Sequence, residues 1–237
     1  MDRSSLQLET PRLLLRLPRQ EDFEAWAAFL ADVEATRHLG GVQPRPVAWR
    51  GLAAMVGAWH LKGFAMFSVV EKDTGQWVGR VGPWQPEGWP GTEVGWSIVR
   101  ERWGRGYAPE AAAACTAWAF DTLGWSEVIH TIAPGNASSK AVAAKLGSRF
   151  IGMGRLPEPS HEKPVEIWGQ TRAEWRARKE QASRSPSTAC PCPATATSCA
   201  CCWSSSAATT AGSRSTAPVA RPALPRSWPG TPTAGCR

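Results

Sequence analysis

Residues 92–123, TEVGWSIVRERWGRGYAPEAAAACTAWAFDTL, carry the strongest structural signal of the chain: a strand passes through a Gly-rich turn directly into a long Ala-rich helix. Gly104 and Gly106 stand where the turn lets the backbone approach a ligand closely. The following helix directs its free N–H groups and the positive end of its dipole at this turn. The pattern therefore predicts a site for a diphosphate.

Two common phosphate-binding motifs are excluded. No G-x-G-x-x-G follows the strand of residues 92–99, and no G-K-[ST] occurs anywhere in the chain. The first motif marks dinucleotide-binding folds and the second marks P-loop NTPases. We therefore expect another phosphate-bearing cofactor at the turn.

A second segment, residues 127–152 with the sequence EVIHTIAPGNASSKAVAAKLGSRFIG, reads as strand, loop, helix and strand. Together the two segments resemble the acetyl-CoA-binding half of the GNAT superfamily of N-acetyltransferases. Within it they are most similar to the ribosomal-protein-alanine N-acetyltransferases and related small-molecule acetylases. The resemblance extends from about residue 8 to residue 180, and three motifs carry it: EVGW at 93–96, WGRGYA at 103–108, and N-x-x-S at 136–139 before a helix that ends KLG at 145–147.

This resemblance implies an α/β (α+β) GNAT fold. Its sheet is mixed but mostly antiparallel, has about seven strands that splay between the fourth and the fifth, and is flanked by about four helices. Hydrophobic alternation and turn residues predict the elements individually. The predicted strands are 13–16, 64–72, 76–84, 92–99, 128–132, 149–154 and 165–171, and the predicted helices are 21–30, 47–61, 107–123 and 138–146, with a polar helical run at 172–180.

The resemblance also implies acetyl-CoA as the cosubstrate and assigns residues to it. The pantetheine arm would lie along the splayed fourth strand at Gly95, Trp96, Ser97 and Ile98. The pyrophosphate would be held by the peptide groups of Arg105, Gly106, Tyr107 and Ala108, with charge added by Arg100, Arg102 and the Arg105 side chain. Asn136 either binds the pantetheine amides or only caps the helix that follows it.

Glu93 is the predicted catalytic base, since aminolysis of a thioester needs a neutral amine and a carboxylate can accept its proton. The alternatives are a solvent-facing Glu93 and His130 as the base on the neighbouring strand. The resemblance implies that the Ser139 hydroxyl lies near the thioester sulfur, although a Ser there also caps helices. Either Ser139 or a water would then protonate the thiolate, or the thiolate would leave unassisted. The helix after Asn136 lacks the Tyr that many relatives use as an acid, since Tyr107 is the only Tyr in the chain.

The turn departs from the superfamily pattern Q/R-x-x-G-x-G/A, because Trp103 occupies its first position. The alanine-acetylating branch tolerates an aromatic residue there, so the departure favours that branch. Backbone amides do the binding in either case.

The predicted function is transfer of an acetyl group from acetyl-CoA directly to a primary amine, which is a protein N-terminus or a small-molecule amine. The alternative is a CoA-binding regulatory module without acetyl transfer. The segments expected to border the acceptor contain four tryptophans, Trp49, Trp59, Trp84 and Trp89.

Composition divides the chain into a GNAT acetyltransferase domain at 1–180 and a tail at 181–237. The tail contains no Asp, Glu or Lys and consists mainly of Ser, Thr, Ala, Pro, Cys and Arg. Such a segment buries too little apolar surface to fold, so we expect disorder. Its bias resembles an out-of-frame translation of GC-rich DNA.

The tail also holds five of the 27 basic residues, which leaves 22 basic and 20 acidic side chains in residues 1–180. This nearly neutral domain argues against nucleic acid as a partner. Six of seven cysteines lie in the tail with spacing that fits no zinc motif, so no metal is expected. The absence of a signal segment and of long apolar runs predicts a cytoplasmic protein without a membrane partner, and its oligomeric state is not readable.

Overall fold

The computed structural model describes residues 6–158 and 160–184. Within these ranges the chain forms eight strands and six α-helices. The strands are β1 Gln7–Glu9, β2 Leu13–Arg16, β3 Phe67–Glu71, β4 Trp77–Trp84, β5 Glu93–Ile98, β6 Glu127–Ile132, β7 Arg149–Arg155 and β8 Pro164–Thr171. The helices are α1 Phe23–Ala31, α2 Val33–Thr36, α3 Arg45–Lys62, α4 Tyr107–Asp121, α5 Ala137–Leu146 and α6 Arg172–Arg184.

The strands form one sheet in the order β1-β2-β3-β4-β5-β6-β8-β7. Neighbouring strands are antiparallel except β5 and β6, which are parallel and meet at a single register pair, Glu93 with Ile129. β5 and β6 are the fourth and fifth strands of the sequence prediction, so the mixed, splayed GNAT fold is confirmed.

The structure corrects the details of this prediction. Residues 6–184 contain eight strands rather than about seven, because Gln7–Glu9 pairs with β2 as an edge strand. They contain six α-helices rather than about four, because a single capped turn, α2, follows α1 and the polar run at the end forms α6. Three-residue strands and one-turn helices are too short to show a period in sequence.

The two faces of the sheet differ in chemistry. Phe67, Val81 and Trp96 are register partners, and Phe67 packs against Trp118 of α4 with ring centroids 5.4 Å apart. On the opposite face the register partners are Ser68, Arg80 and Ser97. Residues of one register row share a face. We call the second one the polar face, and α1 covers it.

Gly79 permits the close pairing of β4 with β5. Its φ is +156°, and a Cβ at this position would lie 2.2 Å from the Ser97 carbonyl oxygen. Because that obstacle is backbone, it cannot rotate away as a side chain would. The glycine is therefore required for the register that carries β5.

Gly79→Ala is expected to destabilise the fold by about 1–3 kcal/mol or more, as overpacking of a rigid site does. Urea unfolding followed by circular dichroism measures the loss. Gly57→Ala is the matched control, since a Cβ at Gly57 in α3 meets no atom within 4 Å. There the methyl group should stabilise by about 0.5–1 kcal/mol. Equal stability of both variants would contradict this role of Gly79.

The predicted domain boundary at residue 180 lies inside α6, which continues to Arg184. The predicted tail at 181–237 lies outside the described residues from residue 185 onward, together with its six cysteines. Its disorder and its origin stay predictions.

Candidate active site

The sheet opens between β5 and β6 immediately after their single pair. The Ile129 N–H donates to the Thr92 carbonyl (2.9 Å), and the backbone pairing ends at this Glu93–Ile129 pair. Beyond this pair the contacts between β6 and β5 involve side chains. The first is that of His130, whose Nδ1 lies 2.7 Å from the Val94 carbonyl. Strand alternation directs the N–H and C=O of Trp96 to the same side as those of Val94. They therefore face the opening, where an extended ligand could pair with them.

The Glu93 carboxylate lies at the vertex of this opening. Only 6% of Glu93 is exposed, and its carboxylate oxygens accept three hydrogen bonds. Trp89 Nε1 donates at a distance of 2.5 Å, and Thr131 of β6 donates from its backbone N–H (3.2 Å) and its hydroxyl (3.0 Å). The alternative of a solvent-facing Glu93 is thus wrong in this structure.

Burial raises the pKa of Glu93 to about 7. The loss of hydration outweighs the hydrogen bonds from Thr131 and Trp89, which act in the opposite direction. A carboxyl group with a pKa near the operating pH is suited to proton transfer. The geometry and the pKa together favour Glu93 as a base.

His130 has the opposite character. It is buried, its Nδ1 faces a carbonyl that can only accept, and its Nε2 lies 2.9 Å from Ser148 Oγ. Nδ1 must therefore carry the proton while Ser148 donates to Nε2. Burial lowers the pKa of His130 to about 4, so the ring is neutral near pH 7. With both nitrogens occupied, His130 holds the two strands together and is a poor candidate for the base.

Ser139 lies in the first turn of α5 and contacts β5 through its hydroxyl group. Trp96 Nε1 approaches Ser139 Oγ at 3.3 Å, so the hydroxyl accepts from β5 and retains its own proton for donation. Asn136 caps α5, because its Oδ1 accepts from the Ser139 N–H (3.1 Å) and from the Ser138 hydroxyl (2.9 Å). The structure shows this cap, and pantetheine binding by the Asn136 amide nitrogen stays a prediction.

The predicted phosphate turn leads into α4 with both glycines in the left-handed region, at φ of +74° for Gly104 and +80° for Gly106. Gly106 precedes the first residue of α4, and no side chain caps the N–H groups of that first turn. The amides of Tyr107 and Ala108 therefore keep donors for an anion.

A buried carboxylate on β3 holds this turn in place. Glu71 accepts from the Tyr107 hydroxyl (2.5 Å), from Arg102 (2.9 Å) and from Thr74 (2.7 Å). These hydrogen bonds, led by that of Tyr107, lower the pKa of Glu71 to about 2. Glu71 thus remains ionised at physiological pH and ties β3 to the start of α4.

Arg12 is a supporting residue that sequence reasoning missed. Its guanidinium pairs with Glu110 (2.5 Å), donates to the Arg105 carbonyl (2.8 Å) and lies 4.6 Å above the Tyr107 ring. Arg12 precedes the turn by more than 90 residues, so no local pattern could reveal the contact.

The three arginines predicted to add charge near the phosphates differ in their surroundings. Arg102 pairs with Glu71, and Arg100 pairs with Asp32 (3.1 Å), so both guanidinium groups already have a carboxylate partner. The Arg105 side chain is exposed and has no ion pair among residues 6–158 and 160–184. Of the three, only Arg105 is free to meet a phosphate.

The four tryptophans expected to border the acceptor are divided as well. Trp59 is a core residue instead, since it is buried and donates to the Met66 carbonyl (3.0 Å). Trp84 and Trp89 pack edge to face at 6.5 Å beside Glu93, and Trp49 is half exposed against Phe23. Trp84 and Trp89 are thus placed to contact a ligand at the vertex.

In the described part of the chain, no helix has the length and apolarity needed to cross a membrane. The same residues contain no group of three His, Cys, Asp or Glu side chains that could hold a metal ion. Cys115 is buried in α4, and burial raises the pKa of its thiol. The predicted cytoplasmic location stays a prediction.

The opening between β5 and β6 and the Gly-rich turn before α4 are the two structural features that the comparison with known proteins can be set beside. Residues 12–149, more than half of the chain, match the acetyltransferase (GNAT) domain family. The chain therefore belongs to the GNAT acetyltransferase family, which confirms the predicted acyltransferase class at the level of the family.

The chain is also similar to individual proteins. It is 36% identical over 90 residues to the uncharacterized protein YkkB of Bacillus subtilis, a match that covers 37% of this chain and only about half (52%) of YkkB. Among solved structures, an acetyltransferase from Agrobacterium tumefaciens is 29% identical with a TM-score of 0.64, and the match covers 71% of this chain and 96% of that one.

A third neighbour, RimJ of Mycobacterium smegmatis in complex with CoA-disulfide, shares 20% identity with a TM-score of 0.53. That match covers 73% of this chain and 90% of RimJ. At this identity the likeness extends to the fold alone.

Proposed function

We propose that this protein transfers an acetyl group from acetyl-CoA directly to a primary amine. The observation that carries the proposal is the Glu93 carboxylate, which lies buried at the vertex of the β5–β6 opening with a pKa of about 7. Acetyl-CoA supplies the activated acetyl carbon. Residues of this chain must bind the cosubstrate and transfer the protons.

Cosubstrate binding rests on two sets of free backbone groups. The N–H and C=O of Trp96 face the opening and suit the amides of a pantetheine arm, with Gly95, Ser97 and Ile98 forming the rest of the strand. The uncapped amides before and within the first turn of α4, from Arg105 to Ala108, suit a pyrophosphate. We assign the Asn136 amide nitrogen, at the N-terminal end of α5, as a further donor to the pantetheine arm.

Proton transfer rests on side chains at the two walls of the opening. The amine nitrogen forms a bond to the acetyl carbon, and Glu93 takes the proton that the nitrogen gives up. The bond between the acetyl carbon and the sulfur then breaks, and CoA leaves as the thiolate. Ser139 donates a hydrogen bond to the departing sulfur, while Trp96 fixes its oxygen from the other side. No side chain forms a covalent bond in this scheme, so the transfer is direct.

The test is thiol release from acetyl-CoA, measured with 5,5′-dithiobis-nitrobenzoate across a panel of peptide, amino-acid and polyamine acceptors. Amine-dependent release, with the acetylated product identified by mass spectrometry, is the expected result. Tight CoA binding without amine-dependent release from any acceptor would instead establish the CoA-binding module. Whether the acceptor is a protein N-terminus or a small molecule is decided by the same panel.

A further inference from the structure

The side chain of Met66 ends beside the Glu93 carboxylate. A Cβ placed on Gly95 would lie 2.6 Å from Met66 Cε and 3.4 Å from Glu93 Oε1, so the methyl group and the carboxylate flank the same point above Gly95. Gly95 and Glu93 share the polar face because they are two residues apart on β5. Met66 is partly exposed. The apolar end of a flexible side chain therefore borders the proposed base.

Two paired glycines let Met66 reach this position. Gly82 of β4 is the register partner of Gly95. A Cβ on Gly82 would lie 3.1 Å from Met66 Cα and 3.2 Å from the Phe67 nitrogen, so a larger residue there would push this backbone away from β4. Gly95 has no side chain that could compete with the Met66 methyl group for space. The Met66 side chain therefore passes over Gly82 and ends above Gly95.

The main chain at Met66 is fixed, whereas the end of its side chain is adaptable. The Met66 carbonyl accepts a hydrogen bond from Trp59 Nε1 (3.0 Å), and the next residue, Phe67, is fully buried at the start of β3. A methionine side chain has three rotatable bonds and fills irregular space. A substitution at Met66 should therefore change the space above Gly95 more than the course of the chain.

The other neighbours of the Glu93 carboxylate also lie close to it. Trp89 and Thr131 donate hydrogen bonds to its oxygens, and little of Glu93 is exposed. An amine that gives its proton directly to this carboxylate must come within about 2.6–3.2 Å of an oxygen. The carbon that carries the nitrogen then competes for space with these side chains and with Met66. Of the three, Met66 alone borders the carboxylate without donating a hydrogen bond to it.

We infer that Met66 is a specificity-determining residue for the acceptor, and that the site takes unhindered primary amines. In such amines the carbon next to the nitrogen carries no bulky group, as in an N-terminal glycine or at the end of an alkylamine chain. The Met66 methyl group fills the volume above Gly95 that a larger group beside the nitrogen would need. This inference rests on the proposed function, because it takes Glu93 as the group that receives the amine.

The experiment compares glycyl-dialanine with leucyl-dialanine as acceptors, since the two peptides differ only in the side chain beside the amine. The wild type is expected to acetylate the glycyl peptide with a kcat/KM about 10- to 200-fold higher, the range for a single methylene that a pocket admits or rejects. Met66→Ala and Met66→Val both remove the thioether end that reaches Gly95, so this ratio should fall about 10-fold or more. Met153→Ala, at an exposed position of β7, is the matched control and should keep the wild-type ratio.

The ratio also separates recognition from a structural role. Both Met66 variants should lose some thermal stability, as large-to-small substitutions do. Loss of folded protein lowers the rates with both peptides together and leaves their ratio unchanged. A gain of the leucyl peptide relative to the glycyl peptide therefore reports the size of the site. A wild-type ratio near one, or a wild-type ratio retained in both Met66 variants, would overturn the inference.

A binding measurement without turnover distinguishes the two proposals. The chain contains four methionines, so the Met66 signal of protein labelled with ¹³C at the methionine methyl groups can be assigned by its loss in Met66→Val. In the presence of CoA, the glycyl peptide should shift this signal at lower concentration than the leucyl peptide does. That result without acetylation of any amine would leave the inference standing while the proposed function fails. Acetylation of both peptides with equal kcat/KM would do the reverse, and a Met66 signal that responds to neither peptide would place Met66 outside the acceptor site.

Discussion

Glu93→Gln is expected to lower kcat/KM for amine acetylation by about 10²–10⁴-fold at pH 8, the usual contribution of a general base. The amide has nearly the shape of the carboxylate but cannot accept the proton of the amine. Affinity for acetyl-CoA should change little, since backbone groups are proposed to bind it. Steady-state kinetics and calorimetric CoA binding measure the two quantities separately.

The pH profile gives the same prediction a second readout. A base acts in its deprotonated form, so the wild-type rate should rise as the pH increases through about 7, the pKa of Glu93. Glu93→Gln should lose this limb and keep only the one that reports deprotonation of the amine. Glu127→Gln, on β6 outside the opening, is the control and should keep both. A limb near pH 7 that persists in Glu93→Gln would remove Glu93 from the mechanism, and the low pKa of His130, about 4, makes His130 an unsuitable replacement.

Ala108→Pro is expected to raise the KM for acetyl-CoA by about 10- to 100-fold, as the loss of a hydrogen bond to a charged group does. Ala108 is the second residue of α4, where the N–H has no acceptor within the helix and a proline is tolerated. The substitution therefore removes one predicted phosphate donor with little change to the helix. The value of kcat at saturating acetyl-CoA should fall much less.

Ala108→Gly is the matched control for this variant. It removes the methyl group and weakens the helix locally, but it retains the N–H, so its KM for acetyl-CoA should remain within a few-fold of the wild type. Circular dichroism confirms that α4 is intact in both. If the proline variant binds acetyl-CoA as tightly as the glycine variant, the Ala108 amide does not contact the cosubstrate.

The parts of the fold that follow from local patterns could be predicted from the sequence. The strand, turn and helix of residues 92–123 depend on glycine conformation and on hydrophobic spacing, and both are written in consecutive residues. The predicted segments differ from the observed ones by zero to four residues at their ends, as in β5, predicted at 92–99 and observed at Glu93–Ile98. The single turn α2 and the edge strand β1 were missed because neither is long enough to show periodicity.

The candidate site divides in the same way. Glu93 and the turn could be selected by sequence, because their motifs are contiguous. The roles of Arg12, Glu71 and His130 could not, since each depends on a contact that only the assembled sheet creates. His130 in particular looked like a base on intrinsic pKa, and only its burial against Val94 and Ser148 shows that both nitrogens are occupied.

The opening between β5 and β6 divides the sheet into two leaves, β1 to β5 on one side and β6, β8 and β7 on the other. Past the single backbone pair, the bonds between the leaves come from His130, which contacts Val94, and from Thr131, which donates to the Glu93 carboxylate. The Glu93 carboxylate, the proposed proton acceptor, is therefore also one of the groups that link the two leaves. When the Glu93 carboxylate is protonated, its hydrogen bonds from Thr131 lose their charge-assisted character and weaken. The proposed proton transfer would therefore also change how strongly the two leaves are held together.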